Sequence, residues 1–223
     1  MAVSVKICGL TTREAAEAAL SAGADFGGLV FFPPSPRHLS LDQARSLAAL
    51  LRGRARIVTL MVEPSDAQVD EVVAAIAPDL IQLHGKETPA RTAAIAARSG
   101  RPIVKAFAVA EAADLARAHA YEEIADYFLF DAKADSSATR PGGLGAAFDW
   151  QLLAGRTFKR PWGLAGGLTP ENVARAIRIA RPHFVDASSG VEDVPGRKSP
   201  EKIAAFVKAV RDAQYTDARA GAA

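Results

Sequence analysis

The amino-acid sequence predicts an α/β protein, a single-domain (β/α)8 TIM barrel. Short apolar runs rich in β-branched and aromatic residues alternate with alanine-rich segments of helical period, the pattern of repeated βα units around a parallel sheet. Close to eight such units fit between Val3 and Val210 with nothing resembling a linker, which is compact for a fold of about 200 to 400 residues. The 223 residues, 49% hydrophobic and 23% charged, suffice to bury one substantial core without disulfides or metal staples. An open, doubly wound sheet is the structural rival.

In chain order, a strand near Val3–Cys8 leads to a helix start at Thr11, with Glu14 three residues on. A strand at Phe26–Phe31 is followed by Ser40 and Gln43, and one at Arg56–Val62 by Ser65 and Gln68. Each hydroxyl three residues before Glu or Gln reads as a reciprocal cap for free helix amides. Further strands are expected at Leu80–Leu83, Ile103–Phe107, Tyr127–Phe130, Trp162–Leu164 and Phe184–Asp186. Thr169-Pro170 and Ser199-Pro200 each place a capping hydroxyl before a proline at the first helical position, where the missing N–H costs nothing. The stretch from Ala132 to Ala147, rich in Ser, Gly and Asp, is too long for an ordinary connection and reads as a mobile active-site loop. The barrel domain is expected over residues 1–214, with 215–223 a frayed tail poor in apolar surface. No internal repeat is visible beyond the βα rhythm.

A net charge of +2 with scattered basic residues argues against nucleic acid and leaves a small anionic ligand compatible. Cys8 is the single cysteine, so an intrachain disulfide and the Cys/His spacing of a zinc site are both excluded; no metal is expected and a reducing, cytoplasmic setting follows. The first residues have no signal-peptide character, and no apolar run approaches the roughly 20 residues needed to span a bilayer.

Barrel enzymes carry their chemistry where strands end. Here those ends are Lys6-Ile7-Cys8-Gly9, Gln82-Leu83-His84-Gly85, Phe130-Asp131 and Asp186-Ala187-Ser188-Ser189-Gly190. Residues two apart in a strand share a face, which sets Lys6 beside Cys8, and Gln82 beside His84, on the inferred interior wall. The turns Ala165-Gly166-Gly167-Leu168 and Ser188-Ser189-Gly190 follow the last two strands, where such barrels commonly enclose a phosphate in backbone N–H groups.

Val5-Lys6-Ile7-Cys8-Gly9-Leu10-Thr11 resembles the opening of phosphoribosylanthranilate isomerases. The resemblance continues through Phe32 to Arg37, Gln82 to Gly85, Gly142 to Gly145, Phe148 to Trp150, Ala165 to Asn172 and Val185 to Glu192, in the family's order. It implies an enzyme of tryptophan biosynthesis that converts N-(5-phosphoribosyl)anthranilate to 1-(o-carboxyphenylamino)-1-deoxyribulose 5-phosphate by an Amadori rearrangement. General acid–base catalysis suffices, so no cofactor is implied; the partner is an anionic sugar-phosphate, neither nucleic acid nor membrane, and the chain is a monomer or weak homodimer.

By similarity, Cys8 is the general base and Asp131 the general acid. A thiol works as a base only where its surroundings favour thiolate, and Lys6 is placed to help. A carboxyl group works as an acid only while protonated. Arg37 is assigned to the anthranilate carboxylate, and Gly166, Gly167, Ser188, Ser189 and Gly190 to the phosphate. Asp186 is the evident partner of the inward Lys6 and joins the substrate pocket; that pair is either structural or orienting. His84 either lines the pocket or is a satisfied core histidine. Leu144 and Ala187 depart from the family pattern, the first removing a hydroxyl from the Gly142–Gly145 motif. Other sugar-phosphate barrels need a lysine acid or paired carboxylates at strand ends, and a phosphate-sugar sensor would tolerate the loss of Cys8.

Overall fold

The structure, a computed structural model, describes residues 2–132 and 149–220, with side chains to residue 213. Eight strands, β1 (Ser4–Cys8), β2 (Phe26–Phe31), β3 (Arg56–Met61), β4 (Leu80–Leu83), β5 (Ile103–Val109), β6 (Tyr127–Ala132), β7 (Trp162–Leu164) and β8 (Phe184–Ala187), pair in sequence order. All pairings are parallel, and β8 closes on β1. The sheet is therefore a closed barrel rather than the open alternative. Helices α1 (Arg13–Ala22), α2 (Leu41–Leu51), α3 (Asp66–Ile76), α4 (Pro89–Ser99), α5 (Ala112–Leu115), α6 (Val173–Ala180) and α7 (Pro200–Ala220) surround it. Among the described residues no helix is long and apolar enough to cross a membrane.

Strand residues alternate between two cores. Val5, Ile7, Leu29, Ile57, Ile81, Ile103, Phe128 and Leu164 belong to the layer shared with the helices. Val58, Leu80, Val104, Ala106, Leu129, Ala165 and Phe184 fill the barrel interior. The same alternation puts Lys6, Cys8, Gln82, Asp131 and Asp186 on the inner face, above that apolar plug.

Ser40 and Ser65 form full capping boxes with Gln43 and Gln68, each worth about 1 kcal/mol. Ser199 Oγ accepts from Lys202 N at 3.4 Å, as a cap before Pro200 should. Two expected starts fall elsewhere. Thr12, not Thr11, caps α1, because Thr11 Oγ donates to Gly196 O instead (2.9 Å). Thr169 begins a turn whose Asn172 side chain accepts from Thr169 N (2.8 Å) and donates to Gly167 O (2.8 Å), so α6 opens only at Val173. The long connection expected from Ala132 to Ala147, with its Gly142–Gly145 motif, lies outside the described residues apart from Ala132, which ends β6. At the C-terminus, α7 remains helical to Ala220, past the expected domain end at residue 214.

The N-terminal rim carries a repeat that the sequence did not announce. The residue just before each even strand exchanges two hydrogen bonds with the preceding odd strand. Val5 N donates to Asp25 Oδ2 (2.7 Å), Ile57 N to Asp79 Oδ2 (2.7 Å), Ile103 N to Asp126 Oδ2 (2.8 Å) and Trp162 N to His183 Nδ1 (3.2 Å). Each of the four returns its own N–H to the carbonyl of its partner, at 2.9 Å every time. The barrel is thus clamped in four ββ quarters at this end.

Beyond β8, a small antiparallel hairpin, β9 (Glu192–Val194) and β10 (Arg197–Lys198), turns at Pro195-Gly196. It reaches back over the C-terminal mouth, with Gly196 packed against the Pro36 carbonyl.

Candidate active site

Register brings the first charged pair together: Lys6 on β1 lies opposite Asp186 on β8. Lys6 Nζ donates to Asp186 Oδ2 at 2.7 Å with both side chains buried, as the sequence led us to expect. Burial works against the Lys6 ammonium, but Asp186 and then Cys8 outweigh it and hold its pKa above the ordinary lysine value. Burial pushes the Asp186 carboxyl up against the pull of Lys6. Its second oxygen, Oδ1, is buried without a hydrogen-bond partner, a group that a polar ligand can satisfy.

Cys8 stands one side-chain step above Lys6 and is also buried. Burial raises its thiol above the ordinary value; Lys6 and Lys198 pull the other way and do not prevail. Room for the sulfur comes from Gly28 on β2: a Cβ there would lie 2.9 Å from Cys8 Cα and 3.0 Å from Sγ.

On β4 the fully buried Gln82 donates through Nε2 to His84 Nδ1 (2.9 Å). An amide nitrogen only donates, so Nδ1 accepts and a neutral ring carries its proton on Nε2. That Nε2 stands 3.1 Å from Asp131 Oδ2 on β6. His84 therefore joins Gln82 to the carboxyl group of Asp131. The other oxygen of Asp131 abuts Gly166, where a Cβ would be 2.9 Å from Oδ1 and 2.5 Å from Ala132 N.

Gly166 and Gly167 both have positive φ, 85° and 61°, and Gly190 packs directly on the Leu168 carbonyl. The two turns after β7 and β8 thus meet at one place, with Ser188 and Ser189 beside them.

Arg37 is held at the same mouth by a carboxylate of the hairpin. It is buried, crosses Gly9 immediately after Cys8, and donates from Nε and Nη2 to the two oxygens of Glu192, each at 2.7 Å. One edge of its planar fork thus holds a carboxylate of the protein. Glu192 also accepts from Lys198 Nζ at 2.6 Å, and Lys198 donates to Ser188 O (3.2 Å) and Ser188 Oγ (3.3 Å). Burial lowers the Lys198 pKa against the pull of Glu192; Glu192 is lowered, burial notwithstanding, by Arg37 and Lys198. Glu192 and Lys198 were assigned no part at the sequence level. The legible signal was Pro195-Gly196, a turn dipeptide that brings a lysine back toward the mouth.

A (β/α)8-barrel enzyme equipped for proton transfer is the class that this fold and mouth define. The sequence profile of the family described as N-(5'phosphoribosyl)anthranilate (PRA) isomerase matches residues 5–209. The N-(5'-phosphoribosyl)anthranilate isomerase of Bradyrhizobium diazoefficiens is 54% identical over 214 residues, 96% of either chain. The crystal structure of phosphoribosyl anthranilate isomerase from Thermotoga maritima superposes with a TM-score of 0.84 at 36% identity, covering 94% of this chain and 99% of that one. A further isomerase structure, in complex with reduced 1-(o-carboxyphenylamino)-1-deoxyribulose 5-phosphate, matches with a TM-score of 0.82 at 34% identity over 94% of this chain and 99% of that one. The chain belongs to the N-(5'-phosphoribosyl)anthranilate isomerase family.

Proposed function

We propose that this chain isomerises N-(5-phosphoribosyl)anthranilate to 1-(o-carboxyphenylamino)-1-deoxyribulose 5-phosphate in tryptophan biosynthesis, with Cys8 as general base and Asp131 as general acid. The observation that carries the reading is the interior placement of a thiol beside Lys6 on β1 and a carboxyl group beside His84 on β6, at the same mouth. Asp131 gives its proton to the ribose ring oxygen, the C1–O bond breaks, and an iminium ion forms. Cys8 thiolate takes the proton from C2, leaving an enolamine. Tautomerisation to the ketone places a proton on C1, so the reaction is a net isomerisation without redox change or hydrolysis.

The surroundings suit those tasks. Once Asp131 has given up its proton, the His84 Nε2–H at 3.1 Å faces the new carboxylate, a favourable charge–dipole contact that strengthens in the product-forming state. Lys6 and Lys198 supply the positive potential that a Cys8 thiolate needs. Gly166, Gly167, Ser188, Ser189 and Gly190 receive the phosphate on two abutting turns. Asp186 meets the substrate through its unpartnered Oδ1, and Arg37, backed by Glu192, faces the anthranilate. Residues 1–214 act as one catalytic domain with 215–223 as a tail. The setting is cytoplasmic, the substrate an anionic sugar-phosphate, and the enzyme a monomer or weak homodimer.

The test is a steady-state assay that follows loss of anthranilate fluorescence from substrate generated in situ, on wild type, Cys8→Ser and Asp131→Asn. Turnover by wild type with losses of about 100-fold or more in both folded variants is expected, since a positioned acid or base contributes about 10²–10⁴. Tight binding without turnover by wild type would overturn the reading in favour of a sensor; full activity of Cys8→Ser would remove the thiol from its role.

A further inference from the structure

Resting on the phosphate reading above, we propose that Lys198 is a positioning residue for the phosphate: it turns the Ser188 hydroxyl into an obligate donor and places a buried cation behind the anion turn.

Lys198 lies at the end of the β9–β10 hairpin with its side chain wholly enclosed. Its ammonium has three protons and no acceptor, and the surroundings take them through Glu192 Oε1, Ser188 O and Ser188 Oγ. Because an ammonium only donates, Ser188 Oγ is the acceptor in that contact. Its own proton is then left to point at something else, and the neighbouring turn with Ser189, Gly190, Gly166 and Gly167 is where an anion would sit. Ser188 itself has an irregular backbone, φ −127° and ψ −89°, at the start of a short helical turn. The double grip on its carbonyl and its hydroxyl holds that conformation.

Glu192, the carboxylate partner of Lys198, is already held through both oxygens by Arg37. Lys198 therefore brings positive charge to the turn instead of merely neutralising an unpaired acid. Charge near a binding site in a poorly solvated setting acts more strongly than in water. The same chain of contacts, Ser188 to Lys198 to Glu192 to Arg37, runs from the phosphate turn to the segment over Cys8. A purely structural lysine would serve Arg37; a phosphate-positioning lysine serves Ser188. The two predict different losses.

The experiment compares wild type, Lys198→Met, Lys198→Gln and Ser188→Ala, each checked for folding by circular dichroism and thermal melting. Inorganic phosphate and anthranilate serve as separate competitive inhibitors. In Lys198→Met, phosphate binding should weaken by about tenfold or more, the scale of a hydrogen bond to a charged group, and anthranilate binding much less. Adding Ser188→Ala to Lys198→Met should cost less than Ser188→Ala costs alone, because the two act as a unit. Lys198→Gln, which keeps a donor without the charge, should fall between and covers the case in which the methionine variant fails to fold. Equal or larger loss for anthranilate would overturn the proposal in favour of a strut for Arg37. Unchanged phosphate inhibition in the Lys198 variants, with a loss in Ser188→Ala, would overturn it alone. Unchanged inhibition in all the variants would instead remove the phosphate from this turn.

Discussion

Lys6→Met removes a cation whose Nζ lies 2.7 Å from Asp186 Oδ2, both side chains being almost fully enclosed, 2% and 6% exposed. Methionine keeps most of the volume, so packing changes little; the damage is an uncompensated carboxylate inside the barrel. Breaking a buried pair from one side costs about 3–5 kcal/mol, and for a chain of this size each kcal/mol lowers Tm by about 2–4 °C. A Tm lower by about 6–20 °C at pH 8 follows from those scales. Burial already raises the folded pKa of Asp186, and loss of Lys6 raises it further. For a raised carboxyl, the stabilising contribution is fully present below the unfolded value of about 4 and is lost as pH rises through the folded value. The gap between variant and wild type should therefore widen as pH rises through the raised folded value of the wild-type carboxyl. Thermal melts followed by the fluorescence of the buried Trp150 and Trp162 measure it, with Lys6→Met/Asp186→Asn as the internal control expected to recover most of the loss. A penalty below about 1 kcal/mol at pH 8, a penalty independent of pH, or a double variant no better than the single would refute the reasoning.

Cys8 is the single cysteine, and burial raises its thiol, so iodoacetamide labelling of the empty enzyme should be slow at neutral pH and accelerate with a midpoint above the ordinary thiol value. Lys6→Met should move that midpoint higher still, and a downward movement would contradict the assigned pull of Lys6. Gly28→Ala would set a Cβ 3.0 Å from the Cys8 sulfur; overpacking of about 1–3 kcal/mol is expected in denaturant titrations, with kcat falling as the thiol shifts. An alanine variant that keeps both stability and rate would mean that the strands part easily there. Asp79→Ala removes the acceptor of the Ile57 N–H and should cost about 1.5–3 kcal/mol with KM and kcat little changed, because the clamp lies at the mouth opposite the chemistry.

Much of the barrel is legible in periodicity alone. Strands β2, β4 and β7 fall on the expected residues. Strands β5, β6 and β8 run further than expected because pairing with their neighbours continues past the apolar run, which places Asp131 inside β6. The Lys6–Asp186 pair follows from register between the first and last strands of a closed sheet. The Arg37–Glu192 contact does not: it joins residues 155 apart, through a hairpin that no periodic pattern marks. The four clamps escaped notice for a different reason. Asp25, Asp79, Asp126 and His183 each precede an apolar strand residue, but a single polar residue before a strand is common, and only the shared spatial role makes it a repeat.

Those clamps leave the molecule with two poles of unlike purpose. At one rim, four near-identical fastenings hold each even strand to the odd strand before it, and none of their side chains touches a reactive group in the described structure. At the other rim, every strand-end residue with chemistry stands on a wall already secured from below. The reactive pole is thereby free to change: new loops, a different base or another ligand could be tried there without loosening the hoop, while the fastening pole has little to offer but endurance.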